Sequence, residues 1–164
     1  MPEPNIRRAT KDDARSILET HYLAVHETAA ADYPGEILDE WSATVDEARI
    51  AAFLEKFSDN KEGELIYVAE IAGKIAAFGA IVPANNELRA VYVSPRFARQ
   101  AIGSKLLVHL EAEAARYKMT ELNLDSSLTA ERFYLANGYL IKERGQHRLR
   151  SGRMMQCVHM YKLL

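Results

Sequence analysis

Apolar residues recur at helical spacing in the first third of the chain and at strand spacing in most of the rest. Between residues 11 and 30 they repeat about every 3.6 positions, which predicts one long amphipathic helix. The segment Asp-Tyr-Pro-Gly-Glu at 32–36 interrupts this pattern. A second helical region follows over about 36–57, with a break expected near residues 42–46.

A polar turn at 58–63 marks the change to strands. Residues 64–71 and 74–82 are two apolar runs joined by Ala72-Gly73, a pattern typical of a β-hairpin. A third strand is predicted over 87–93. The order indicates three consecutive strands in one sheet.

The remainder alternates between the two kinds of element. A helix is predicted from about residue 102, a short buried-type strand at 121–125, and a helix over about 128–137 that Asn137-Gly138 ends. Two strands follow, at about 139–147 and 153–162. The apolar face of the first of these helices carries six residues: Ile102, Leu106, Leu107, Leu110, Ala114 and Tyr117.

This order of elements implies an α+β (mixed α/β) fold with helices packed on a sheet. A length of 164 residues suits one domain, 1–164, with a sizeable core. The formal net charge of −2 gives no electrostatic reason to expect a nucleic-acid partner. With Cys157 as the single cysteine and no apolar run of membrane-spanning length, we expect a cytoplasmic protein with no membrane partner.

One segment combines cations with the start of a helix: residues 92–107 read YVSPRFARQAIGSKLL. Backbone N–H groups at a helix N-terminus are unpaired and carry partial positive charge, so a small-residue turn there can bind an anion. Gly103 would let the backbone approach a bulky ligand, while Arg96 and Arg99 add charge suited to phosphate. The alternative is a loop of solvated arginines that caps an ordinary helix.

The surrounding motifs resemble those of the GCN5-related N-acetyltransferase (GNAT) superfamily, including a subset of its bacterial members. In that family an apolar strand ending in Val-x-Pro precedes a Gln/Arg-x-x-Gly-x-Gly/Ala loop and a helix with paired leucines. Downstream comes Ala-x-x-Phe-Tyr-x-x-x-Gly-Phe/Tyr, which 130–139 matches. The motifs cover the cofactor-binding core at about 64–164, and the helices at about 11–57 lie where the family keeps its variable acceptor-binding elements.

The resemblance implies a central mixed, mostly antiparallel sheet with a strand splay that admits acetyl-CoA. The end of the third strand, Val91, Tyr92 and Val93, would pair with the pantetheine arm, and Ser127 lies where relatives place an asparagine that touches the cofactor. The pyrophosphate would bind the loop amides of six residues: Arg99, Gln100, Ala101, Ile102, Gly103 and Ser104.

Two loop positions depart from the family pattern. Ala98 replaces the usual Gln or Arg, and Ala101 replaces the middle glycine. A methyl group at 101 is harmless if that residue has helical dihedrals, and costly if its φ is positive. The sequence leaves both outcomes open, so it also leaves open whether Ala98 and Ala101 weaken the affinity for the cofactor.

The resemblance also suggests the catalytic groups. Tyr134 would be the general acid that protonates the departing thiolate, since a phenol has a reference pKa of about 10; the alternative is a core aromatic beside Phe133. A backbone amide of the bulged strand near Val91–Val93 would polarise the thioester carbonyl. Glu87 is the proposed base, or else a solvated strand-start carboxylate.

The acceptor would bind near His26, Tyr33 and Trp41, which could equally pack two helices on a sheet. The five histidines show no ligand-like pairing with cysteine or carboxylates along the sequence, so no metal is predicted. The resemblance implies an N-acetyltransferase that moves acetyl from acetyl-CoA directly to a primary amine of a small molecule or peptide. The alternative is a non-catalytic acyl-CoA-binding or sensing module. Exposed final strands make a homodimer plausible.

Overall fold

The computed structural model describes residues 2–164 and contains one seven-stranded sheet in the order β1-β2-β3-β4-β5-β7-β6. From the first helix onward, helices and strands follow one another in the order that the sequence predicted. Their bounds are β1 Asn5–Arg8, β2 Leu65–Ile71, β3 Lys74–Val82, β4 Glu87–Val93, β5 Glu121–Ser127, β6 Leu140–Arg148 and β7 Met154–Leu163.

Five α-helices pack against this sheet: α1 Ala14–Leu23, α2 Gly35–Trp41, α3 Glu47–Asp59, α4 Ile102–Arg116 and α5 Glu131–Ala136. The α+β prediction is confirmed. The expected long first helix is less regular than its pattern suggested. It opens with a 3₁₀ turn at Lys11–Asp13 and continues past α1 through a π-helical turn, Ala24–Thr28, and a 3₁₀ turn, Ala29–Ala31.

The sheet is antiparallel except between β4 and β5, which run parallel and share a single register pair, Glu87 with Asn123. A bond from the Asn123 amide to the Asn86 carbonyl (2.8 Å) joins them at the same point. Beyond it the two strands separate, which confirms the predicted splay. The peptide groups on the β5 side of Ala90–Val93 therefore have no strand beside them.

A bulge interrupts β4 before the splay. Ala80 of β3 pairs with Ala90 and Ile81 pairs with Leu88, so Arg89 is the extra residue on β4. The bulge was expected near Val91–Val93 and lies earlier. A bulge bends its strand and increases the local twist, which helps to turn the rest of β4 away from β5.

The two faces of the sheet have different cores. Against one face lies α4, whose Leu106, Leu107 and Leu110 are fully buried. Gly79 permits this packing, since a Cβ on it would stand 2.6 Å from Leu110 Cδ1. On the opposite face, Ile17 of α1 packs on residues of β2 and β3. The helices at 14–41 and the loop before α4 therefore meet the splay from opposite sides of the sheet.

Two smaller expectations were wrong. Tyr117 follows the end of α4 and is 49% exposed, so it is not part of the buried face. Strand β5 is not buried on both faces: Leu122, Leu124 and Ser126 are buried, whereas Asp125 between them is exposed. Among residues 2–164, no helix combines the length and the apolar character needed to span a bilayer.

Candidate functional site

The loop before α4 presents a run of unpaired backbone donors. Within residues 2–164, none of the amides from Arg99 to Ser104 donates to a backbone carbonyl, and the helical ladder begins with the Lys105 amide on the Ala101 carbonyl (3.0 Å). Arg99 and Ala101 both have positive φ, +62° and +57°. A turn of this kind gathers successive N–H groups into a concavity suited to an anion.

The conformation of Ala101 resolves the question that its sequence left open. It is the N-cap of α4 and is left-handed, φ +57° and ψ +17°. This conformation costs a non-glycine residue roughly 1–2 kcal/mol. Ala101 therefore does strain the loop, whereas Ala98 has an ordinary extended backbone (φ −62°, ψ +155°).

Gly103 has a packing role that the sequence did not indicate. It is buried in the first turn of α4, where an added Cβ would stand 3.1 Å from Phe133 Cε2 and 3.2 Å from Val93 Cγ2. Its lack of a side chain thus lets α4 approach α5 and the end of β4. The spacing of the loop from the splay depends on this contact.

A cavity of about 1020 Å³ lies at the splay. Its walls come from β4 on one side, β5 to β7 on the other, and the helical region 24–41 and α5 around them. Of the sequence-predicted site residues, seven line it: Trp41, Glu87, Val91, Tyr92, Val93, Ser127 and Tyr134. The loop residues 99–104 lie outside this cavity, and Ala101 and Ser104 border a smaller one of about 370 Å³ beside Glu3 and Lys105.

Tyr134 is 6% exposed, with its ring set edge-on against Phe133 and Tyr139 at 5.1 and 5.5 Å between centroids. Burial raises the pKa of Tyr134 above the usual range of a phenol, and neighbouring Tyr92 adds to the effect. The hydroxyl therefore stays protonated at neutral pH. It lies in the cavity wall and can donate a proton there.

Glu87 is engaged in a charge network at the N-terminal end of β4. Its Oε2 accepts from Arg89 Nη2 (3.0 Å), and its Oε1 accepts from Arg89 Nε (3.2 Å). The same guanidinium also reaches Glu62 (2.6 Å) and Glu64 (2.9 Å). Both carboxylate oxygens of Glu87 thus face a cation.

The three predicted acceptor residues lie in different environments. Trp41 lines the cavity and donates from Nε1 to the Tyr92 hydroxyl (3.2 Å). Tyr33 is buried behind it: its hydroxyl donates to the Gln156 carbonyl (2.6 Å) and accepts from the Leu128 amide (2.8 Å). His26 donates from Nε2 to the Ser42 carbonyl (2.7 Å) and stacks on Tyr22. Only Trp41 of the three borders the cavity.

Ser127, at the end of β5, uses its hydroxyl locally. Its Oγ accepts from the Ala130 amide (3.1 Å), which closes the turn before α5. Beside it the structure brings together side chains that sequence spacing did not connect. Asp125 of β5 pairs in register with His159 of β7, and Ser127 with Cys157.

In this cluster, Asp125 Oδ1 lies 2.6 Å from His159 Nδ1 and Asp125 Oδ2 lies 3.0 Å from His147 Nδ1. The expectation that the histidines pair with neither carboxylate nor cysteine was wrong. The signal in the sequence was alternation: Asn123, Asp125 and Ser127 share one face of β5, as Cys157, His159 and Tyr161 do on β7.

The polar atoms of Asp125, Cys157 and His159 lie within 4.8 Å of one another, which raises the question of a metal. Two ligands bonded to one tetrahedral zinc at about 2.0–2.1 Å stand roughly 3.3 Å apart. The 2.6 Å between Asp125 Oδ1 and His159 Nδ1 is instead a hydrogen-bond distance. The geometry is that of a carboxylate–imidazole pair.

The chain is similar to known proteins over most of its length. The model of the acetyltransferase (GNAT) domain family matches residues 29–163. A crystal structure from Rhodopseudomonas palustris, named as a GCN5-related N-acetyltransferase and as an aminotransferase, class-II, is 26% identical; the match covers 100% of this chain and 98% of that one, with a TM-score of 0.85. No curated protein matches the sequence at a significant level.

Two further structures are similar in fold. PaiA N-acetyltransferase from Thermoplasma acidophilum, in complex with coenzyme A, is 18% identical over 99% of this chain and 100% of that one, with a TM-score of 0.79. YncA of Salmonella typhimurium, a putative acetyltransferase with its cofactor acetyl-CoA, is 22% identical over 99% and 95%, with a TM-score of 0.70.

Proposed function

Since the chain belongs to the GNAT acetyltransferase family, we propose that it transfers the acetyl group of acetyl-CoA directly to a primary amine of a small molecule or peptide. The observation that carries this proposal is the run of unpaired amides at Arg99–Ser104, which directly follows the strand β4 with its open edge. The unpaired loop amides suit the anionic diphosphate of coenzyme A, and the open edge of β4 suits its amide-rich pantetheine arm.

In this proposal coenzyme A binds in two places. The amides of Arg99, Gln100, Ala101, Ile102, Gly103 and Ser104 hold its pyrophosphate. Val91, Tyr92 and Val93 offer unpaired peptide groups to the pantetheine arm, and Ser127 lies on the facing strand. The coenzyme-bound structures similar in fold support the assignment.

The chemistry requires a neutral amine, a polarised carbonyl and a protonated leaving group. A peptide N–H of the open β4 edge polarises the thioester carbonyl. Tyr134 protonates the departing sulfur, because its buried hydroxyl is kept neutral beside the cavity. Glu87 remains a predicted base, although its carboxylate already accepts from Arg89.

The acceptor reaches the splay from the face covered by the N-terminal helices. We propose that residues 11–57 form its wall, with Trp41 in contact and Tyr33 and His26 supporting the backbone behind, while 64–164 hold the coenzyme. It stays a prediction that the protein is cytoplasmic, that it has no nucleic-acid partner and that it acts alone or as a homodimer. The same holds for the absence of a metal.

A second candidate is an acyl-CoA-binding or sensing module without turnover. The strained Ala101 favours it, since the methyl group stands where the family has glycine in the coenzyme loop. The two candidates share the binding site and differ only in the chemistry that follows.

The test mixes the protein with acetyl-CoA, a chromogenic thiol reagent and a panel of primary amines: alkylamines, diamines, amino acids, and peptides with free α- or ε-amino groups. Isothermal calorimetry with acetyl-CoA runs in parallel. Amine-dependent thiol release supports the transferase, and binding without release supports the sensing module. Absence of both binding and release at millimolar acetyl-CoA would refute both.

A further inference from the structure

The strands on the far side of the splay carry a histidine whose two ring nitrogens have different environments. Nδ1 of His159 lies 2.6 Å from Asp125 Oδ1, within a register pair of β5 and β7. Nε2 has no hydrogen-bond partner among the described residues. His159 borders the cavity, and its side chain is 27% exposed.

The contact with Asp125 fixes which nitrogen of the neutral ring carries the proton. A carboxylate only accepts hydrogen bonds, so Nδ1 must donate, and the lone pair of the neutral imidazole is left on Nε2. A carboxylate in this position also stabilises the imidazolium that forms when Nε2 takes a proton. The arrangement is that of an oriented base.

Gly145 on β6 makes room for this ring. A Cβ at residue 145 would stand 2.5 Å from His159 Nε2 and 2.9 Å from its Cδ2. The neighbouring strand therefore accepts only glycine if the imidazole is to keep its place. Nε2 thus lies close to the β6 backbone at Gly145, and the absence of a side chain there leaves room for the ring.

We propose that His159, oriented by Asp125, is the general base that deprotonates the acceptor amine. This assignment rests on the proposed acetyl transfer and identifies the group that prepares the nucleophile. It differs from the prediction for Glu87, whose two oxygens both accept from Arg89. A base needs a free lone pair, and Nε2 of His159, a residue of the cavity wall, has no hydrogen-bond partner among the described residues.

Several titratable groups surround His159. On β5, Asp125 has a lowered pKa, chiefly because His147 and then His159 donate to it. On β6, the hydrogen bond to Asp125 raises the pKa of His147, while Glu143 and Lys142 complete the charged wall. On β7, burial raises the pKa of Cys157 to about 11, so it remains a thiol.

The proton transfers balance as follows. An ammonium N–H bond breaks, its electron pair stays on nitrogen, and Nε2 binds the proton and passes it to solvent. The amine attacks the thioester carbon, forming the C–N bond, and the C–S bond breaks with its electron pair on sulfur. Tyr134 donates a proton to the sulfur. After the attack the nitrogen loses a second proton to solvent, which completes the amide, and Tyr134 regains a proton from solvent.

The experiment compares amines of different basicity at neutral pH. His159→Gln should lose about 100-fold in kcat/KM with a strongly basic alkylamine, which is protonated and needs the base. With a weakly basic fluorinated alkylamine, already neutral, the same variant should lose less than about threefold. A purely structural histidine would lower both rates alike, and that outcome would overturn the proposal.

Two more variants keep the test independent of one substitution. Asp125→Asn should reproduce the basicity-dependent loss, because the proton of the neutral His159 ring is then no longer fixed on Nδ1. Gly145→Ala should reproduce it by displacing the ring. His109→Gln on α4 is the matched control and should leave both rates unchanged. If Glu87→Gln alone shows the basicity-dependent loss, the base is Glu87 and the proposal fails.

A spectroscopic readout separates this inference from the proposed function. Long-range ¹H–¹⁵N correlations should show that the neutral His159 ring is protonated at Nδ1 in the wild type. In Asp125→Asn they should show a mixture of the Nδ1-protonated and Nε2-protonated tautomers. An Nε2-protonated ring in the wild type would contradict the assignment. If the wild type turns over and the His159 variants are equally active, only the assignment of His159 as the base is refuted. If the wild type turns over no amine, the proposed acetyl transfer and the assignment of the base are both refuted.

Discussion

Gly103 of α4 and Phe133 of α5 are so close that a Cβ on the glycine would stand 3.1 Å from the aromatic Cε2. This contact joins the helix that begins at the proposed coenzyme loop to the helix that carries Tyr134. The distance between the proposed pyrophosphate site and the proposed general acid is therefore set by a residue without a side chain.

Gly103→Ala should lower the free energy of unfolding by about 1 kcal/mol, because overpacking of the methyl group against Phe133 and Val93 outweighs the preference of a helix for alanine over glycine. It should also weaken acetyl-CoA binding by moving the loop. Urea denaturation and calorimetry measure the two effects. Gly35→Ala is the control, since nothing lies within 4 Å of a Cβ there; equal effects of both variants would contradict the packing role.

Ala101→Gly should raise the free energy of unfolding by about 1 kcal/mol, because glycine adopts positive φ without the steric cost that alanine bears. The thermal midpoint should rise by about 3 °C. Ala98→Gly, at an ordinary extended backbone, should be neutral or destabilising. A destabilised Ala101→Gly protein, measured by differential scanning calorimetry, would contradict the strain.

Tyr134→Phe should reduce kcat by about 100-fold with little change in the affinity for acetyl-CoA, since only the proposed proton donor is lost. Steady-state kinetics with the best amine of the panel and calorimetry measure the two quantities. Tyr117→Phe, exposed and remote from the cavity wall, is the matched control. Unchanged turnover in Tyr134→Phe would remove the hydroxyl from the mechanism.

Tyr33→Phe should lower the free energy of unfolding by about 2–3 kcal/mol, because it leaves the Leu128 amide and the Gln156 carbonyl without their shared partner. The loss should appear in urea denaturation at neutral pH. A higher KM for the amine, with no change in the free energy of unfolding, would instead indicate that the hydroxyl contacts the substrate.

The stability of the fold should depend on pH through His21. This residue is packed against Tyr92 and Trp41, and burial, with Arg49 next, lowers its pKa to about 3 from 6.5. Below pH 6.5 the unfolded chain binds a proton that the folded chain does not, so the free energy of unfolding falls as pH decreases. The slope should stay below about 1.4 kcal/mol per pH unit, because His21 binds at most one proton.

His21→Gln should flatten this dependence while retaining an acceptor for Ser42. Urea midpoints measured from neutral pH down to mildly acidic pH give the two curves. Parallel curves for the wild type and the variant would exclude His21 as the titrating group.

The sequence predicted the elements and their order well because each has a local cause. The hairpin at Ala72-Gly73, the helix from Ile102 and the stop at Asn137-Gly138 all follow from short-range periodicity and turn residues. The motif around Tyr134 likewise lies within ten residues. Such features need no knowledge of distant contacts.

The rest depends on contacts between distant residues. Asp125 and His159 are 34 positions apart and meet only through the register of β5 and β7. The positive φ of Ala101 depends on how the loop joins strand to helix, which residue identity does not reveal. The charge network of Glu87 also includes distant residues, since Arg89, which donates to Glu87, is paired with Glu62 and Glu64 ahead of β2.

The single residue pair between β4 and β5 divides the sheet into a four-stranded and a three-stranded half. A ligand lying along the gap would take the place of the missing strand ladder and unite the halves mechanically. Occupancy would then govern cooperativity: the empty protein could lose its C-terminal half first, while the loaded one would unfold as a unit. In this fold the co-substrate would serve as part of the architecture during each catalytic cycle.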